Sequence, residues 1–270
     1  MPSSIDLVAA TPNRRVRAAF AWYAERLLRR RFAAVRAARG SRDLLSSWNE
    51  ADGPALLLMS HSAWWDPIIG SLLWRRYLQD REPYAPMDLT ELARFRFMRK
   101  LGMFGIAPDE PASREAMVGY LQEIARHTQQ QGKRLVVLMT PEGRFNDPRS
   151  PRVVRPGAAA LASRLGIRSV MAVAIEYAFW NEQRPEVFLR AEVVPAPDAL
   201  TTTGWLRTMQ RTMESNRNAL AERVIARDGQ AFEDLLAPRG SVHPVYDLWL
   251  RLRGRSASID TTHRGMEATR

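Results

Sequence analysis

His61 and Asp66 stand five positions apart, between the apolar run Leu56-Leu57-Leu58-Met59 and a proline at position 67. Histidine ionises nearest neutral pH, so it can take a proton from a hydroxyl and return it later. A carboxylate that accepts a hydrogen bond from one ring nitrogen fixes the tautomer and leaves the other nitrogen as the base. A tight turn between a strand end and a helix start would bring these two side chains within reach. Asp66 before Pro67 also suits an ordinary helix start, so the pair alone does not define a site.

A second loop raises the interest of the first. Arg134-Leu135-Val136-Val137-Leu138-Met139 is followed by Thr140-Pro141-Glu142-Gly143-Arg144-Phe145. Gly143 permits close backbone approach, and Arg144 offers a planar fork of donors matched to phosphate. Arg149, Arg152 and Arg155 continue the loop to Pro156-Gly157, where a helix rich in small residues begins and runs to Gly166. Its amino end is suited to an anion. Glu142 and Arg144 read by themselves as a solvated pair.

Both loops follow short apolar runs without polar alternation, the pattern of strands covered on both faces. Ligands bind at the carboxyl edge of open α/β sheets, which is where His61 and Glu142 fall. Further strands are expected at Pro83 to Met87, Met103 to Ala107, Ser169 to Ile175 and Glu186 to Val194. Helices are expected at Pro67 to Leu78, Glu91 to Leu101, from a cap at Ser113 to Gln130, and at Leu206 to Ile225. Phe232 to Leu236 reads as a short helix and Tyr246 to Leu252 as a last turn. The alternation predicts a single α/β domain with a mixed central sheet flanked by helices.

At its amino end the chain is unlike this body. Arg14 to Arg39 is rich in alanine and arginine, without glycine or proline, and reads as one long helix or two short ones. Val16, Phe20, Tyr23 and Leu27 fall on one face, with arginine over much of the rest. Such an amphipathic helix can lie in the headgroups of an anionic bilayer or pack on the domain behind it. Of the formal net charge of +11, residues 1–39 carry +7 and residues 251–270 carry +3, which leaves +1 for the middle. The expected organisation is a basic helical segment over residues 1–39, a catalytic domain over 40–250, and a basic, disordered tail over 251–270.

The 270 residues include no cysteine and four histidines. Disulfides, thiolate zinc sites and a cysteine nucleophile are excluded, and no metal site is expected. No apolar stretch approaches the roughly 20 residues of a membrane span, and no secretory leader is recognisable. A cytoplasmic protein, peripheral on the inner face of the cell membrane, is expected.

The two loops together resemble the glycerolipid acyltransferases, the family of lysophosphatidic acid acyltransferases. That family pairs a histidine with an aspartate, four residues lying between them, here His61 and Asp66, and carries a later Pro-Glu-Gly, here Pro141-Glu142-Gly143. Glu91-Leu92 through Gly102 and Gly105-Ile106 is similar to its second block, and the likeness spans roughly Ala55 to Ala196. After Glu-Gly the family usually has threonine then arginine, whereas Arg144 follows directly here; the arginine that closes the second block has no evident counterpart.

The resemblance implies transfer of a fatty acyl group from coenzyme A or an acyl-carrier protein to a hydroxyl of a membrane lipid, most nearly a lysophosphatidate. No cofactor beyond that co-substrate is implied. His61 would be the base and Asp66 its orienting partner, with Glu142, Gly143 and Arg144 on the acceptor side. There is no G-x-S-x-G elbow for a covalent intermediate. Rival readings are a glycosylated or otherwise non-phosphate lipid acceptor, a hydrolase that uses the same dyad on water, and a basic nucleic-acid-binding protein. The nearly neutral body argues against nucleic acid as a partner.

Overall fold

Eight strands and seven helices alternate along the chain in a computed structural model that describes residues 7–237 apart from Arg152 and Asn181. The strands are β1 (Val35–Ala38), β2 (Ala55–Met59), β3 (Arg81–Asp88), β4 (Met103–Ile106), β5 (Arg134–Met139), β6 (Ser169–Ala178), β7 (Glu186–Val193) and β8 (Phe232–Leu236). The helices are α1 (Arg14–Arg31), α2 (Ser41–Asn49), α3 (Asp66–Tyr77), α4 (Leu89–Arg94), α5 (Pro111–Gln130), α6 (Pro156–Arg164) and α7 (Thr202–Ala226). One mixed sheet takes the order β4-β3-β5-β2-β6-β7-β1-β8, parallel from β4 to β6 and antiparallel between β6 and β7 and between β1 and β8.

β2 is wholly buried at the centre because it is apolar on both faces. Leu57 and Met59 point into a core shared with α1, α2 and α3, whereas Leu56 and Leu58 point into one shared with α5, α6 and α7. The chain is therefore a single α/β domain with helices on both faces of its sheet.

Several segments depart from what the sequence predicts. The first helix ends at Arg31 rather than Arg39, and Val35–Ala38 is a strand between β7 and β8. Local helix propensity over these residues yields to the ladder bonds the two neighbours supply. A division at residue 39 thus cuts through the sheet. Phe232–Leu236 is a strand for the same reason, with Phe232, Leu235 and Leu236 buried against the body. Glu91 to Leu101 is broken into the end of α4 and a 3₁₀ turn over Arg96–Leu101. Gly102 ends that turn at φ +108°, where a Cβ would lie 2.2 Å from the Pro83 carbonyl. The cap position of α5 is Glu110 rather than Ser113; the helix already begins at Pro111, and the Ser113 hydroxyl accepts the Ala107 N–H at 2.9 Å. The predicted last turn at Tyr246 to Leu252 and the basic tail lie outside the described residues.

One irregularity of the sheet creates the site. β3 pairs with β5 only from Arg81 to Tyr84, and from Ala85 to Asp88 it pairs with β4. Pro83 and Pro86 remove two donors from this strand. The sheet opens as a fork between Ala85–Asp88 and the end of β5.

Candidate active site

The fork leads into a cavity of about 550 Å³. Met87, Met103, Met117, Leu138 and Met139 are among its mostly apolar lining, and His61, Asp66 and Gly143 stand on its wall. Methionine adapts to a flexible chain, so a lining of this composition suits a long apolar ligand.

His61 reaches this wall because the end of β2 is held on both sides. The Ser60 hydroxyl accepts the Ile175 N–H at 2.8 Å, and the Ser60 N–H donates to the Val173 carbonyl at 3.1 Å. The His61 N–H donates to Glu142 Oε1 at 3.3 Å, while the His61 carbonyl accepts the Asn146 N–H at 2.8 Å. Asn146 also donates from its side chain to Glu142 Oε2 at 2.6 Å. The buried Glu142 carboxylate therefore ties the second loop to the first.

The turn after His61 brings Asp66 back beneath the ring, with His61 Nδ1 3.0 Å from Asp66 Oδ2. Asp66 has no solvent exposure. Oδ2 also accepts the N–H groups of Ser62 at 2.7 Å and Ala63 at 2.9 Å, and Oδ1 accepts the Tyr177 hydroxyl at 2.6 Å. As an ionised carboxylate, an acceptor only, Asp66 meets the Ser62, Ala63 and Tyr177 donors together. The ionised form requires the proton on Nδ1, which leaves the Nε2 lone pair as a base. Phe145 covers the imidazole at 4.2 Å between ring centres, and Trp64 stands 6.0 Å from Phe145. Trp65 packs edge-on against Phe32 at 4.9 Å, in the core.

The Glu-Gly-Arg loop divides its duties differently from expectation. Gly143 sits at φ +66°, and a Cβ there would lie 3.1 Å from the Arg155 side chain. Arg155 donates its backbone N–H to the Pro141 carbonyl at 2.8 Å and pairs with the exposed Asp109 at 3.1 Å. Gly143, Arg155 and Arg114 line the cavity. Glu142 is buried behind the loop, and Arg144 is exposed outside the cavity wall. Of the three residues expected on the acceptor side, Gly143 thus lines the cavity, whereas Glu142 and Arg144 do not. Glu142 points inward to His61 and Asn146, and the left-handed Gly143 at φ +66° turns the chain so that Arg144 faces out.

Tyr177 and Asn146 are not singled out by sequence reasoning, and Arg155 is named there only among the arginines of the second loop. Only Tyr177 leaves a readable signal: the apolar run of β6 outlasts that of β2. Val173 pairs with Met59, so Tyr177 overhangs the turn that holds Ala63.

A histidine at a central strand end, oriented by a buried carboxylate and tied to a Pro-Glu-Gly loop, makes acyl chemistry the question to put to known proteins. Residues 36–176, just over half of the chain, match the family model described as Acyltransferase. The chain belongs to the acyltransferase family. The matched span runs from β1 to β6 and includes both loops, and the protein is an acyltransferase enzyme. Among solved structures, this acyltransferase is similar in fold to the crystal structure of the 1-acyl-sn-glycerophosphate (LPA) acyltransferase PlsC from Thermotoga maritima. The TM-score is 0.50 at 14% identity, over 76% of this chain and 79% of that one. No curated protein matches the sequence.

Proposed function

We propose that this acyltransferase moves a fatty acyl group from coenzyme A or an acyl-carrier protein to a free hydroxyl of a lysophosphatidate-type membrane lipid. The observation that carries the reading is the His61–Asp66 pair opening onto a largely apolar cavity of about 550 Å³ with Arg155 and Arg114 on its wall. His61 Nε2 takes the hydroxyl proton as the oxygen attacks the thioester carbonyl. The tetrahedral intermediate expels the thiolate, which takes the proton from the imidazolium. Asp66 stays ionised throughout and stabilises that imidazolium. The cavity holds hydrocarbon, and the two arginines receive the phosphate. The Thermotoga maritima protein of similar fold is an LPA acyltransferase, which favours the same acceptor class.

The acceptor is a lipid, so the enzyme works at a membrane surface, in this reading the inner face of the cell membrane. No helix among the described residues is long and apolar enough to cross a bilayer. The outer face of α1 exposes Trp22 and Tyr23 beside Arg26 and Arg30, a composition suited to anionic headgroups.

The test is thiol release from a long-chain acyl-coenzyme A with lysophosphatidate, with an uncharged lysoglycolipid, or with neither. Release that depends on lysophosphatidate is expected. Equal release without an acceptor would identify a hydrolase, and release driven only by the uncharged lipid would reassign the acceptor.

A further inference from the structure

We propose that Tyr177 is a positioning residue of the acyl-transfer step, its hydroxyl holding the Asp66 carboxylate so that Oδ2 faces His61. The inference rests on the reading of His61 as base. Asp66 Oδ2 is shared by three donors, the Ser62 and Ala63 N–H groups and His61 Nδ1, whereas Oδ1 accepts the Tyr177 hydroxyl at 2.6 Å. The carboxylate is fully buried, so water does not replace a missing donor there. A carboxylate tethered through one oxygen can still turn about its χ2 bond, and a second donor on the opposite oxygen stops that rotation.

The ring that carries this hydroxyl is itself fixed. Tyr177 lies on β6 where it overhangs β2, and its ring packs on Phe32 at 5.8 Å between centres. Phe32 meets Trp65, the residue before Asp66, edge-on at 4.9 Å. Burial and the Asp66 charge both push the Tyr177 phenol far above its ordinary range, so it remains a donor at every pH the enzyme meets. Phenylalanine would keep every ring contact and delete the donor alone.

Loss of that donor has a direction. Tyr177 draws negative charge toward Oδ1; without it, more charge rests on Oδ2 and the imidazolium is better stabilised, so the base protonates at higher pH. The other groups facing the dyad stay in place: Glu142 behind the His61 backbone, and Arg17, Asp88, Glu91, Arg114 and Arg155 around the cavity. In Tyr177→Phe the acid limb of the kcat/KM profile should move upward. kcat should fall roughly tenfold, with KM for both substrates little changed.

The experiment compares wild type, Tyr177→Phe and His61→Ala in acyl transfer from acyl-coenzyme A to lysophosphatidate between pH 5 and 9, with thermal unfolding of each. An inactive, folded His61→Ala together with a slowed Tyr177→Phe whose acid limb has moved supports the proposal. An inactive His61→Ala with an unaltered Tyr177→Phe overturns it and leaves the base assignment standing. A fully active His61→Ala overturns both. Should Tyr177→Phe fail to fold, Tyr177→Gln and Tyr177→Leu, close in size with and without a donor, carry the same comparison. Faster turnover by the glutamine variant supports the proposal, and equal turnover overturns it.

Discussion

Glu142 meets His61 at the backbone N–H and joins the two loops that form the site. Replacement by alanine leaves the His61 N–H without its acceptor and removes the carboxylate that the Asn146 side chain donates to, so kcat should fall roughly tenfold with little change in acceptor KM. Steady-state kinetics decide, because a raised KM at unchanged kcat would mean that Glu142 meets the acceptor directly. Arg155 and Arg144 form a second comparison. Arg155 lines the cavity beside Gly143, so Arg155→Ala should raise acceptor KM roughly tenfold, whereas Arg144→Ala should change it little. The reverse ranking would return the anion site to Arg144. Here the sequence is informative where contacts are local: His61 and Asp66 meet across one turn, and their spacing announces it. Tyr177 reaches Asp66 from 111 positions away, by a pairing that no local pattern contains.

Among the elements, α1 shows why an amphipathic pattern has to be read with its partner in view. Its buried face is Arg17, Ala21, Ala24 and Leu28, packed against α3 and the sheet, and it leaves Trp22 and Tyr23 outside. Arg17 anchors it by an ion pair with Glu82 at 2.5 Å, and Lys133 meets the other oxygen of Glu82 at 2.6 Å. Burial raises the Glu82 pKa, but the hydrogen bonds and charges of Arg17 and Lys133 outweigh it and hold the carboxyl below its ordinary 4.5. A depressed carboxyl contributes stability above its unfolded pKa and loses it as pH falls through the folded value. Glu82→Gln should therefore cost roughly 2 kcal/mol near neutrality. The gap to wild type should close as pH falls through that lowered value, as denaturant unfolding at several pH values would show. A gap independent of pH would mean that packing, not the ion pair, holds the helix. β2 and β5 are legible in the sequence as apolar runs bounded by turn residues. β1, with its alanines and an arginine, is not, because its extended form comes from β7 and β8 on either side.

For the whole molecule, the sheet sets the dyad at its carboxyl edge and the fork between β3 and β5 supplies the cavity beside it. The alternation of strands and helices makes the α/β class readable from sequence. The fork is not readable, since it depends on β3 exchanging one neighbour for another midway along its length. A basic amino-terminal region on a nearly neutral body gives the protein one face suited to anionic lipid. Trp22→Ser with Tyr23→Ser should weaken sedimentation with anionic vesicles at both low and high salt, because the aromatic contribution is not screened. Undiminished binding would place the membrane contact elsewhere. Deletion of everything before Gly40 is not a fair test, because it also removes β1 from the sheet. The central claim is that His61 is the base for acyl transfer to a lipid hydroxyl. The most direct measurement is mass-spectrometric detection of the two-chain lipid formed from acyl-coenzyme A and lysophosphatidate by wild type and by folded His61→Ala. Product is expected from the first and roughly a thousandfold less from the second, in line with loss of a general base; comparable product from both would rule out His61 as the base.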